Sequence, residues 1–135
     1  MKRTALFAAL AVSPGLLAAS MVPASTGTWK VNGDVQGTPV IMTCVLTEVE
    51  NKLTGTCTGA AGEVKPRTIA GEVKEGTVSW HFDTVYDGNP ITVSMAGKLI
   101  EDGAKMSGTI YVDPMQADGT FFAVKQPDVA PAATP

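Results

Sequence analysis

Four short stretches of this sequence share one pattern: Leu53-Thr54-Gly55-Thr56, Ile69-Ala70-Gly71-Glu72, Met95-Ala96-Gly97-Lys98 and Met106-Ser107-Gly108-Thr109. In each, an apolar residue is followed two positions later by a glycine, so both point to the same face of a strand. A glycine inside a strand weakens it unless the backbone bends there or a bulky side chain lies across it. The repeated glycines therefore predict successive strands of a tightly curved β-barrel.

Apolar and polar residues alternate at period two in the segments around these glycines, which is the pattern of half-buried strands. We count eight such segments, near residues 28–35, 38–49, 52–59, 67–74, 77–86, 91–101, 104–112 and 120–125. No segment has the periodicity of a long helix. The sequence therefore predicts an all-β fold, an eight-stranded antiparallel up-and-down β-barrel.

Four dipeptides suit two-residue hairpin turns, because Gly and Asn tolerate the positive φ that such turns require. They are Gln36-Gly37, Glu50-Asn51, Glu75-Gly76 and Asp102-Gly103. Neighbouring strands alternate in direction, so the last three turns fall at one end of the barrel. The other end has the first turn and the longer connections 60–66, 87–90 and 113–119. We therefore expect a closed floor and an open mouth.

The turn at Glu50-Asn51 places Cys44 directly opposite Cys57, at a pair where side chains approach closely. In an exported protein such a pair predicts a disulfide, which stabilises by roughly 3 kcal/mol for a loop of this length. Two cysteines and the single His81 make a poor set of metal ligands. We expect no metal and no cofactor.

The same counting places the two tryptophans inside the barrel. Trp29 falls opposite Cys44, where its indole would cover the disulfide. Trp80 falls between Gly71 on one neighbouring strand and Gly97 on the other. A large ring over these glycines would restore the packing that they lose.

The last strand has no fixed register, because its seven-residue connection 113–119 leaves two alternatives open. In the first alternative, Phe121, Ala123 and Lys125 point inward. In the second, Phe122 and Val124 do. The first set is preferred, since it brings Lys125 to Trp29.

Residues 1–24 have the features of a secretory signal peptide. Lys2 and Arg3 precede an apolar stretch, and Val22-Pro23-Ala24 offers small residues before a cut. The apolar stretch is short and interrupted, whereas a membrane-spanning helix needs about 20 apolar residues. We predict cleavage after Ala24 and an exported protein, periplasmic or secreted, with no membrane span.

The rest of the chain is predicted to form one barrel domain, residues 25–125, followed by a disordered tail. Residues 126–135 lack periodicity and are rich in Pro and Ala. Without Lys2 and Arg3, the 10 basic residues fall to 8 against 13 acidic ones, a formal charge of −5. This balance, with no basic cluster, disfavours nucleic acid as a partner.

A candidate ligand site lies among inward residues near the mouth. Arg67 is predicted to face inward opposite Thr84, where a cation suits the carboxylate or other polar head of an amphipathic ligand. The predicted ligand-binding residues are Met42, Arg67, Phe82, Tyr86, Val93, Met95, Ile110 and Val112. Another interpretation stays open: Arg67 turns to solvent or pairs with a neighbour such as Glu63, and side chains fill the barrel completely.

Catalysis has little support in the sequence. Ser79, His81 and Asp83 share one face of a strand, but that face points away from the core. Residues two apart on a strand lie about 6.5 to 7 Å apart, too far for a nucleophile to contact its base. We therefore predict no catalytic residues and a protein that is not an enzyme.

Short motifs resemble those of the calycins. Thr26-Gly27-Thr28-Trp29 contains the Gly-x-Trp that opens the first strand of lipocalins, and Lys125 resembles the basic residue that packs across that Trp. Leu53-Thr54-Gly55-Thr56 and Thr77-Val78-Ser79-Trp80 resemble strands of avidin and streptavidin. The resemblance implies an eight-stranded barrel that holds one small, mostly apolar molecule. Cys57 stands where avidins have a biotin-contacting tyrosine, so biotin is not the implied ligand.

Two functions from different classes follow from these observations. The first is an exported carrier or sensor of a small apolar or amphipathic ligand held inside the barrel. The second is a protein-binding barrel, such as the small exported bacterial inhibitors of lysozymes or proteases, which would insert loop 60–66 or 113–119 into a secreted enzyme. The acidic charge would favour a basic target. An internal void would favour the carrier, and a filled barrel would favour the inhibitor.

Overall fold

The computed structural model describes residues 22–62 and 64–127. Its strands are β1 (Gly27–Val35), β2 (Thr38–Val49), β3 (Lys52–Thr58), β4 (Arg67–Lys74), β5 (Thr77–Tyr86), β6 (Asn89–Ile100), β7 (Lys105–Asp113) and β8 (Ala117–Lys125). Short 3-10 turns occupy Ala60–Gly62 and Glu101–Gly103. The strands follow one another around a closed barrel, and each is antiparallel to its neighbours. The predicted all-β, eight-stranded up-and-down barrel is confirmed.

Several predictions concern residues that the structure does not describe. Residues 1–21, most of the predicted signal peptide, and 128–135, most of the predicted tail, lie outside the described residues, as does Glu63. Within the described ranges, no helix has the length and apolar character that crossing a membrane requires.

Four two-residue hairpin turns join strands, at Gln36-Gly37, Glu50-Asn51, Glu75-Gly76 and Asp87-Gly88. Both residues of every turn have positive φ, between 50° and 90°. Turns of this kind match the right-handed twist of the strands they join. The first three turns confirm the sequence prediction, and the fourth corrects it.

Two connections are shorter or longer than expected. The predicted long connection 87–90 is wrong, because Asn89 already begins β6 and pairs with Tyr86. Pro90 is tolerated there, near the start of a strand. The predicted two-residue turn at Asp102-Gly103 is also wrong, since the chain turns over residues 101–104 and Ile100 pairs with Lys105.

The length of the Asp87-Gly88 turn changes the partner of Trp80. Trp80 pairs with Gly71, as predicted, but its partner on β6 is Met95 rather than Gly97. The shift is two residues, so every inward side chain of β6 stays inward.

Phe121, not Trp80, is the ring that covers Gly97. A Cβ atom at Gly97 would lie 2.8 Å from Phe121 Cζ and 2.9 Å from Met106 Cγ, both too close. Trp80 packs instead against Phe121, edge to face, with ring centroids 5.9 Å apart. A large ring therefore lies over Gly97, as predicted, but the ring is that of Phe121.

β8 is longer than predicted and resolves the open register. It begins at Ala117, which pairs with Val112, so only residues 114–116 form the connection. Phe121 is buried, whereas Phe122 is 42% exposed. The preferred inward set is confirmed, and Lys125 pairs with Trp29.

The disulfide is present. Cys44 and Cys57 face each other on β2 and β3 and are bonded. Both are buried. Trp29 on β1 pairs with Cys44 on β2, as predicted. The disulfide and the Trp29 side chain therefore form one packed unit across the first three strands.

A segment preceding β1 closes the floor. The buried Ser25 donates from Oγ to Glu48 Oε1 at 2.6 Å, and its carbonyl accepts the indole N–H of Trp29 at 2.9 Å. Lys125 Nζ donates to the carbonyl of Ala24 at 2.6 Å and lies 5.2 Å from the centroid of the Trp29 ring. The basic residue and the tryptophan thus meet as the lipocalin resemblance implies.

Candidate functional site

A cavity of about 240 Å³ opens at the mouth of the barrel. It is lined by inward residues of six strands and by residues of the mouth turns, namely Val35, Gln36, Thr38, Pro39, Val40, Ala60, Thr84, Tyr86, Ile91, Val93, Ile110, Val112, Met115 and Ala117. Period-two alternation on β5 to β8 turns these side chains inward. The wall is mainly apolar, and the mouth end of the barrel is therefore hollow.

The cavity contains four of the eight predicted ligand-binding residues. Tyr86, Val93, Ile110 and Val112 line it. Three others, Met42, Phe82 and Met95, are each 2% exposed and belong to the packed core, outside the lining. They face inward, as expected, but the side chains around them fill that level of the barrel.

Arg67 is not among the residues that line the cavity. It begins β4, is partly exposed, and pairs with Cys57 on β3. The backbone ladder between β4 and β5 reaches only Ala70 and His81, so the expected pairing of Arg67 with Thr84 is not formed. Arg67 and Thr84 are both engaged in noncovalent interactions within the protein.

Sequence reasoning missed the contribution of the β1–β2 hairpin. Its residues Val35, Gln36, Thr38, Pro39 and Val40 line one side of the cavity. Val35 and Val40 have the inward alternation, and the hairpin turn lies at the mouth end, so the signal was available in the sequence.

It also missed Met115 and Ala117, because the connection before β8 was expected to be longer. The period-two alternation of β8 begins earlier than predicted, with small or apolar residues at Ala117, Gly119, Phe121 and Ala123. This pattern is a signal that the strand starts at Ala117. Met115 is 48% exposed and lies in the turn beside the cavity.

The polar groups of the cavity sit mainly at its rim. Gln36, Thr38 and Tyr86 are exposed and carry neutral hydrogen-bonding groups. Thr84 is 3% exposed and is the buried polar residue of the wall. The arrangement can therefore hold an apolar body inside and a polar group at the opening.

Two of the three outward polar residues of β5, Ser79 and Asp83, are hydrogen-bonded to the neighbouring strands. Ser79 Oγ donates to the carbonyl of Glu72 at 3.4 Å, and Asp83 Oδ1 accepts from Thr92 Oγ1 at 2.7 Å. Across residues 22–62 and 64–127, no three His, Cys, Asp or Glu side chains are grouped so that they could hold a metal ion.

A second depression, of about 480 Å³, lies on the outer surface near the mouth. It is lined by Asp83, Pro90, Ile91, Thr92, Asp113 and Pro114, most of them exposed. It is more open to solvent than the mouth cavity, and its Asp83 carboxylate is already hydrogen-bonded to Thr92. It therefore encloses a ligand less well than the barrel interior does.

No protein-family model matches the chain, and no curated protein matches it significantly. The closed eight-stranded barrel with its disulfide is compatible with a calycin-like fold.

Proposed function

We propose that the protein is an exported carrier or sensor that binds a small apolar or amphipathic molecule in the mouth cavity. The observation that carries the proposal is the hollow mouth: Ile91, Val93, Ile110 and Val112 line it and are at most 8% exposed. Small-molecule sites are concave, mostly apolar and supplied with a few polar groups, which fits this cavity.

The size of the cavity limits the ligand. Its volume of about 240 Å³ exceeds the roughly 150 Å³ that accommodates benzene in an engineered cavity, and it is below the roughly 300 to 1,000 Å³ of drug-sized sites. A ligand with on the order of ten nonhydrogen atoms would fit. Each buried methylene contributes about 0.8 kcal/mol, so such a molecule gains enough to bind without a large interface.

Two further features support this proposal. The strand motifs resemble those of calycins, whose barrels hold one small molecule. The Cys44–Cys57 disulfide supports an oxidising compartment, since disulfides persist mainly in exported proteins.

The test fills the cavity and keeps a matched control. Ala117→Phe places a ring in the cavity, whereas Ala70→Phe makes the same change at an exposed position on β4. We expect saturable binding of 1-octanol to the unmodified protein and to Ala70→Phe in a ligand-observed NMR titration. Affinity should fall at least about tenfold in Ala117→Phe, or 1.4 kcal/mol.

Two outcomes would count against the proposal: no saturable binding to the unmodified protein, or equal binding by both variants. Circular dichroism checks that each variant folds. If Ala117→Phe fails that check, Val93→Phe provides the same test from β6.

The protein-binding alternative has one observation in its favour. Val64, on the connection between β3 and β4, is 87% exposed, and an apolar side chain on a loop is a suitable anchor for an enzyme cleft. Stoichiometric inhibition of a basic lysozyme or a protease, lost in Val64→Asp, would support this function over the carrier.

A further inference from the structure

We infer that the ligand of the mouth cavity is uncharged, with a hydroxyl or carbonyl group at the rim rather than a carboxylate or an ammonium. This inference rests on the proposed function and specifies its ligand class. It replaces the expectation of an acidic head group at Arg67.

The first argument is the chemistry of the wall. Among the described residues that line the cavity, none is Asp, Glu, Lys, Arg or His. A charged group that comes to the rim would lose part of its hydration, and these residues offer no opposite charge to compensate, which is unfavourable. An uncharged polar group costs much less and can be hydrogen-bonded by one neutral partner.

The second argument is the position of Arg67. It pairs with Cys57 at the start of β4, outside the lining, and is engaged in an interaction within the protein. A carboxylate held by Arg67 would have to draw it from this arrangement. The polar groups that do line the rim, Tyr86, Gln36 and Thr38, are neutral and can both donate and accept hydrogen bonds.

The third argument is the charge around the mouth. Asp34, Asp87, Asp113 and Asp118 are exposed in or beside the mouth turns, and they outnumber the two described cations at this end, Lys65 and Arg67. They repel an anion and attract a cation, but exposed charges interact weakly through water and are screened by salt. The charges at the rim therefore favour cationic ligands over anionic ones. The neutral wall favours uncharged ligands over both.

The experiment compares three ligands with the same chain length: 1-octanol, octanoate and octylammonium, titrated at neutral pH by ligand-observed NMR. We expect 1-octanol to bind at least about tenfold more tightly than either ion, because only its head group enters without losing charge hydration. Octylammonium should bind more tightly than octanoate at low salt, and this difference should shrink at high salt.

Arg67→Leu distinguishes an uncharged ligand from one whose acidic head group binds Arg67. We expect this variant to bind 1-octanol and octanoate within about twofold of the unmodified protein, since Arg67 lies outside the lining. If octanoate binds most tightly and Arg67→Leu abolishes that binding, the inference is wrong and the proposed function stands. Octylammonium binding most tightly would also overturn it. If no ligand binds saturably, the proposed function fails as well.

A matched pair of lysine substitutions tests the wall directly. Val35→Lys adds a cation to the lining near the rim, and Asn32→Lys adds one to the exposed outer face of the same strand. We expect octanoate to gain at least about fivefold in affinity in Val35→Lys and less than about twofold in Asn32→Lys. Equal gains would mean that overall charge, not the wall, selects the ligand, and would overturn the inference.

Discussion

The two ends of the barrel are built from the same strands and the same alternation, yet one is filled and the other hollow. Toward the floor, the inward positions hold Trp29, Trp80, Met106 and Phe121, all buried. Toward the mouth they hold smaller side chains, such as those of Val93, Val112 and Ala117, and these surround the cavity. The comparison shows that alternation selects which side chains face inward, while their volumes decide whether the interior closes.

The ends also differ in how the chain is held. At the floor, the segment before β1 is tied down by Ser25, Glu48, Trp29 and Lys125. The turns between strands are exposed at both ends of the barrel. The filled floor can therefore supply stability that the hollow mouth does not.

The largest expected effect is on the floor. Trp80→Ala should lower the free energy of unfolding by roughly 3 to 5 kcal/mol, because the glycine opposite it cannot fill the hole. Val112→Ala, beside the cavity, should cost only roughly 1 to 2 kcal/mol, since less apolar surface is lost. Urea denaturation of both variants measures the difference.

Trp80→Phe is the control for this comparison. The indole N–H of Trp80 is buried and has no hydrogen-bond acceptor among the described residues. The variant keeps a ring and removes this unpaired donor, so it should cost less than Trp80→Ala. Equal losses at Trp80 and Val112 would mean that the floor is not the better-packed end.

The second effect concerns the Cys44–Cys57 disulfide between β2 and β3. Replacing Cys44 and Cys57 together by Ala should lower the free energy of unfolding by roughly 3 kcal/mol, mainly by freeing the unfolded chain. Thiol titration of the denatured, unreduced protein should find no free thiol. Two free thiols would contradict the bonded pair.

The smallest expected effect is at the contact between Lys125 on β8 and Trp29 on β1. Lys125→Met should cost about 1 kcal/mol, because it removes a cation over the Trp29 ring, a contact that the predicted cleavage after Ala24 leaves in place. Lys105→Met is the matched control: its ammonium lies 5.9 Å from the exposed Phe122 ring and 3.4 Å from Glu101. This exposed pair should contribute less than about 0.5 kcal/mol. Similar losses in thermal unfolding would show that the floor contact has no special role.

Much of the fold could be predicted because neighbouring residues carry the information. Glu50-Asn51 alone sets the pairing of Cys44 with Cys57, and the same counting sets Trp29 against Cys44. The Trp80 partner was wrong for a local reason as well. A longer connection at 87–90 shifts the pairing by two residues from that of the Asp87-Gly88 turn. Such a shift preserves both faces of β6, so alternation does not distinguish the two.

The candidate site was only half predictable. Tyr86, Val93, Ile110 and Val112 were found because inward position is readable from period two. Arg67 was expected at the cavity because β4 was continued along β5 to the mouth, where the two strands no longer pair. That separation depends on the whole barrel and on the long connection before β4, and no local pattern encodes it.

The sequence by itself determined the number of strands, their order, the disulfide and the inward face of each strand. These follow from turns and alternation, which act over a few residues. Only the tertiary structure decided which inward side chains meet across the barrel, that Phe121 covers Gly97, and that the mouth stays hollow. The physical reason is that a void is a difference between the volume that the closed barrel encloses and the volume of side chains from strands far apart in the chain.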